Sequence, residues 1–112
     1  MCKVLGILFN LLIVLSVSSF SQVGKTRTYK IFGTNYQKVT VESETLQGAV
    51  YYLVAGHGGP DPGAVGTYGG SQVSEDEYAY DVTLRLARKL IEKGALVYMI
   101  TRDNNDGIRD AN

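Results

Sequence analysis

The stretch Val50-Tyr51-Tyr52-Leu53-Val54-Ala55-Gly56-His57-Gly58-Gly59-Pro60-Asp61-Pro62-Gly63-Ala64-Val65-Gly66 decides how this chain is read. Its first six residues are a continuous apolar run rich in β-favouring side chains, which predicts a strand buried on both faces. The run stops at a glycine cluster. Seven of the fifteen residues from Gly56 to Gly70 are glycine, and both prolines of the chain, Pro60 and Pro62, lie here too, so a long, shaped loop is expected.

Downstream, Ser74-Glu75-Asp76-Glu77 reads as a helix start, with Ser74 at the N-cap and Glu77 three residues later able to close a capping box. Acidic residues in a first turn also suit the positive end of the helix dipole. Ala79, Val82, Leu86 and Leu90, filled out by Leu84, Ala87 and Ile91, recur at helical spacing and predict the buried stripe. Gly94 is a suitable stop. Leu96-Val97-Tyr98-Met99-Ile100-Thr101 is a second apolar strand, ended by the turn-forming Asn104-Asn105-Asp106-Gly107. Strand, helix and strand in this order predict an α/β fold, a βαβ unit of a parallel or mixed sheet with flanking helices, and an incomplete domain.

Upstream, residues 1–21 have the layout of a signal peptide. Lys3 precedes an apolar run from Val4 to Val17, and small residues at Ser19 and Ser21 flank a cut ahead of Gln22. A run of this length is short for a bilayer span, so no membrane anchor is expected after cleavage. The lone cysteine, Cys2, lies inside the leader. The mature chain therefore has neither a disulfide framework nor a thiolate metal site, and any metal must be held by histidine and carboxylates. Removing Lys3 with the leader leaves ten Lys and Arg against eleven Asp and Glu, a balance that gives no reason to expect nucleic acid. Residues 22–48 are polar and rich in Thr, Lys and Tyr, with alternation at Lys38-Val39-Thr40-Val41-Glu42 that predicts an edge strand or ordered extension of unknown role.

His57, the one histidine, follows the first strand directly, and ligands of parallel α/β sheets bind at the carboxyl ends of strands. Glycines on either side leave its imidazole accessible as a zinc ligand. The plainer alternative is a loop histidine that hydrogen-bonds its own turn. A phosphate cradle is disfavoured, because the loop has no GxGxxG and no Lys-Ser or Lys-Thr pair after its glycines.

Over about Val50 to Asp110, the block Gly56-His57-Gly58-Gly59-x-Asp61-Pro62-Gly63-Ala64-x-Gly66, the acidic helix start, the helix and the strand ending Thr101-Arg102 resemble the zinc-dependent N-acetylmuramoyl-L-alanine amidases of the amidase-3 type. The resemblance implies that residues 49–112 are the N-terminal part of an amidase catalytic domain. It makes His57 the first Zn²⁺ ligand and a glutamate at the helix start the second. Glu75 and Glu77 both compete for that place, and Glu75 is favoured because Glu77 has the capping box to serve. The implied reaction is hydrolysis of the amide between N-acetylmuramic acid and L-alanine, the partner is peptidoglycan or its muropeptides, and the location is the periplasm, cell wall or exterior.

Three departures from the family pattern stand out. Val54-Ala55 replaces a common Asp-Pro, so the support which that aspartate gives the histidine from behind is not expected here. The loop between His57 and Glu75 is slightly longer than usual. No histidine follows His57, so the family's third ligand and its distal catalytic glutamate have no counterpart, and no catalytic residue is assigned. Weak zinc binding and inactivity are the expectation for the 112 residues by themselves, with a non-catalytic cell-wall-binding module as the alternative.

Overall fold

The computed structural model describes residues 20–103 and 106–109. Most of the expected leader, and Asn104 and Asn105 of the expected turn, lie outside the described residues.

Strand β1 (Thr26–Thr28) pairs antiparallel with β2 (Lys38–Thr40), and a single 3-10 turn (Lys30–Phe32) lies between them. Strand β3 (Val50–Leu53) leads through a hairpin, β4 (Val65–Tyr68) and β5 (Ser71–Ser74), into helix α1 (Glu75–Glu92). Strand β6 (Leu96–Met99) then returns beside β3 in parallel, with Val50 opposite Leu96 and Leu53 opposite Met99. The protein is thus a small α/β unit with a parallel pair at its centre.

Helix α1 turns Tyr80, Leu84, Ala87 and Ile91 inward, where they meet Phe32, Val39, Ala55, Met99 and Ile108. Burying each of the larger side chains contributes about 1.5–3 kcal/mol. This face is rotated from the expected one: Val82 and Leu86 are exposed. Both stripes are apolar, and it is Phe32 and Val39, from the segment ahead of β3, that select which one is covered. Residues 22–48 therefore supply core. They also close the C-terminal end of α1, where the Glu42 and Ser43 amides donate to the Glu92 carbonyl and the Leu46 amide to that of Lys93. The start of the segment is tied as well, since the Gln22 amide donates to Glu44 Oε1 at 2.7 Å.

Gly94 stops α1 as expected. With φ +90°, it lets its own amide reach the Ile91 carbonyl and the Ala95 amide reach that of Leu90, the paired bonds of a Schellman ending. The helix start differs from expectation. Ser74 makes no side-chain cap. The loop does that work with its backbone: the Glu75 amide donates to the Ala64 carbonyl (2.8 Å) and the Asp76 amide to that of Pro62 (3.1 Å). No capping box forms, and Glu77 pairs with Arg109 instead.

The central strands are covered on one face only. Val50, Tyr52 and Val54 from β3 and its extension, with Leu96, Tyr98 and Ile100 from β6, line the other face and are exposed, Tyr52 and Tyr98 stacking at 5.2 Å. Among the described residues α1 is the only α-helix, and it packs on the opposite side.

Candidate functional site

The loop after β3 is folded tightly by a reciprocal pair of backbone bonds between Gly58 and Asp61. His57 opens this turn with φ +59°, the one non-glycine residue with positive φ among those described. A left-handed backbone at a bulky residue has to be held by its surroundings, and such strain gathers at working sites. Here the hold is visible. His57 Nδ1 lies 3.0 Å from Asp61 Oδ2, while Asp61 Oδ1 accepts the Gly63 amide at 3.1 Å.

The other ring nitrogen, Nε2, faces Glu75 Oε2 at 3.5 Å. That carboxylate is itself fixed, because Oε2 accepts the Ala64 amide at 3.0 Å. Gly63 lies between the two. A Cβ added there would fall 2.8 Å from Glu75 Oε2 and 2.8 Å from the His57 ring, and Gly63 also has φ +65°, so no other residue fits. The glycine-rich block thus brings together an imidazole from the end of a strand and a carboxylate from the first residue of a helix.

The electrostatics follow from this placement. The hydrogen bond that His57 Nδ1 donates to Asp61, joined by the charge of Glu75, raises the His57 pKa above its ordinary value. Asp61 is lowered in turn by His57 and by the Gly63 amide. In the tautomer with hydrogen on Nδ1, the Nε2 lone pair and the Glu75 oxygen point at each other, an arrangement that calls for a proton or a cation between them. Two donors bound to one tetrahedral zinc at about 2.0–2.2 Å each stand roughly 3.3–3.5 Å apart, and one nitrogen with one oxygen is a donor set zinc accepts. As two of its ligands, His57 and Glu75 fit. Among the described residues no group of three His, Cys, Asp or Glu side chains converges, so a third donor is not furnished there.

Glu77, the competing glutamate, is turned to Arg109 and lines a pocket of about 280 Å³ beside His57, together with Asp76, Tyr80, Arg102 and Asp103. The Tyr80 hydroxyl donates to the Asp103 carbonyl and accepts from its amide, which pins the strand exit against the helix. Sequence reasoning missed Tyr80, whose place in the apolar stripe was hidden by its phenol. It also missed Asp61 as the partner of His57. Spacing held the clue, since Asp61 follows four residues on across a Gly-Gly-Pro turn.

Residues 52–110 match the family model described as N-acetylmuramoyl-L-alanine amidase. Over 61 residues the chain is 41% identical to the germination-specific N-acetylmuramoyl-L-alanine amidase of Bacillus subtilis (strain 168), a match covering 54% of this chain and 24% of that protein. The chain thus spans about a quarter of the length of the curated relative it matches. No solved structure matches it.

Proposed function

The chain belongs to the amidase-3 family of N-acetylmuramoyl-L-alanine amidases, and on that premise we propose that it provides part of a zinc site for hydrolysis of the amide between N-acetylmuramic acid and L-alanine in peptidoglycan. The observation that carries this reading is the 3.5 Å approach of His57 Nε2 to Glu75 Oε2. His57 and Glu75 hold the metal. Zinc supplies Lewis acidity toward the scissile carbonyl and makes water a stronger acid. Asp61 holds the His57 tautomer by accepting its Nδ1 hydrogen, which leaves Nε2 free to donate, and the Ala64 amide fixes the Glu75 carboxylate. Export, directed by residues 1–21, brings the protein to its substrate outside the cytoplasmic membrane. Among the described residues no helix is long and apolar enough to cross a membrane.

Two protein donors are fewer than the three usual at a catalytic zinc. The 112 residues alone therefore bind zinc weakly and release little stem peptide, and a longer chain that adds a third ligand and a general base does both well. Zinc content after dialysis and peptide release from purified sacculi test this, on the chain as given and on the chain extended to the length of its relative. His57→Ala and Glu75→Gln should each abolish zinc retention in the extended chain. If Glu77→Gln abolishes it and Glu75→Gln does not, the ligand has been misassigned.

A further inference from the structure

The hairpin that separates His57 from Glu75 does more than connect them. Its register sets Gly66 opposite Val73 and Tyr68 opposite Ser71, so Gly66, Tyr68, Ser71 and Val73 share one face. At Gly66 a Cβ would meet nothing within 4 Å, so the surface is open there. The hairpin and the first turns of α1 border a shallow, open groove of about 340 Å³, lined by Thr67, Tyr68, Val73, Ser74 and Tyr78 and ending at Glu75. Tyr68 is 84% exposed and Tyr78 67%, far more than an aromatic ring with a packing role. Glu75 is the groove's one charged residue, and four hydroxyl-bearing residues line it, Thr67, Tyr68, Ser74 and Tyr78. The pocket that His57 lines is charged instead, with Asp76, Glu77, Arg102, Asp103 and Asp106 around it.

We propose that this groove is the sugar subsite, in which Tyr68 and Tyr78 stack on the N-acetylated muramoyl ring and direct its lactyl amide to Glu75 and His57. The inference rests on the amidase reading above. Charge selects the occupant. In the intact substrate the lactyl carboxyl is tied up in the amide, so the sugar side is neutral, whereas the peptide side carries free carboxylates. A pyranose presents an apolar C–H face to an aromatic ring and hydroxyls to its rim, which a neutral groove of tyrosine, threonine and glycine matches. The continuity of the groove with Glu75 puts a ring bound there next to the atoms that would act on its amide.

The test is an NMR titration of the chelator-treated 112-residue chain with the methylamide of N-acetylmuramic acid and, separately, with a free L-alanyl stem peptide. The sugar should shift the Tyr68 and Tyr78 ring resonances with an affinity on the order of millimolar. Tyr68→Ala and Tyr78→Ala should each weaken it about three- to tenfold, while Tyr68→Phe and Tyr78→Phe keep most of the binding. In the extended chain neither alanine variant should alter zinc uptake, and His57→Ala should lose zinc yet keep the sugar. Tyrosine shifts produced by the peptide but not by the sugar, alanine variants that bind as the parent does, or zinc uptake with no sugar binding would each overturn the subsite alone. Sugar binding with no zinc uptake by the extended chain would overturn the metal reading and leave the subsite standing.

Discussion

His57 stands between two carboxylates, and each acts on a different nitrogen. Asp61 bonds Nδ1 and Glu75 faces Nε2, so the imidazole is drawn toward its protonated form in the absence of metal. A protonated ring cannot donate to a cation, so metal retention should fall as the pH drops through the raised His57 pKa, at a higher pH than an ordinary imidazole would give. The sign for folding is opposite. In the metal-free chain the stabilisation from His57 is fully present below its unfolded pKa and is lost as the pH rises through the raised folded value. Asp61→Asn separates charge from geometry, because the amide oxygen still accepts from Nδ1. Following the ring proton of His57 by NMR, this variant should titrate at lower pH than the parent and retain zinc to lower pH. An unchanged titration would mean that Glu75 and Asp76, and not Asp61, raise the His57 pKa.

At the level of elements, the parallel pair and its helix were legible from the sequence because three signals agreed: apolar β-favouring runs, a 3.6-residue period and a glycine stop. The register of burial was less legible. Val82 and Leu86 are as apolar as Leu84 and Ala87, and no single stripe reveals which partner will cover it. The glycine content of residues 56–70 predicts loop where the hairpin β4–β5 forms, although Gly69-Gly70, with φ of +57° and +82°, is the residue pair a tight hairpin turn requires. Of the candidate site, the approach of Glu75 to His57 follows from the order of strand, loop and helix start, whereas the backbone caps from Ala64 and Pro62 depend on how the loop closes. The contact between Phe32-Gly33 and Gly107-Ile108 was equally invisible. There the Ile108 amide donates to the Phe32 carbonyl at 3.1 Å, and a Cβ on Gly107 would lie 2.6 Å from the Gly33 Cα. Gly107→Ala should therefore push the two backbones apart, free Ile108 from the core and cost about 1–3 kcal/mol in urea unfolding. An unchanged midpoint would show that the crossing yields without loss.

On the scale of the molecule, the uncovered sheet face dominates. Six apolar or aromatic residues in two adjacent rows form a contiguous exposed patch of the kind that promotes association, and β3 and β6 each have an outer edge that pairs with no other strand among those described. The 112-residue chain should scatter light increasingly with concentration. Val50→Lys together with Tyr98→Glu, which sit diagonally across the pair, should suppress this with little change in unfolding midpoint. Association that persists in the double variant would place the sticky surface elsewhere, with the exposed Val82 and Leu86 of α1 next to be changed. A quieter consequence lies at the other end of the chain, where the Gln22 nitrogen rests on Glu44 and that carboxylate is held below its usual pKa by the same bond. A cut ahead of Gln22 turns this nitrogen into an ammonium facing an anion, which favours the charged form. An amine kept protonated is a poor nucleophile toward its own side-chain amide, so the ring closure by which amino-terminal glutamine ages into pyroglutamate should run slowly in the folded protein and resume when it unfolds.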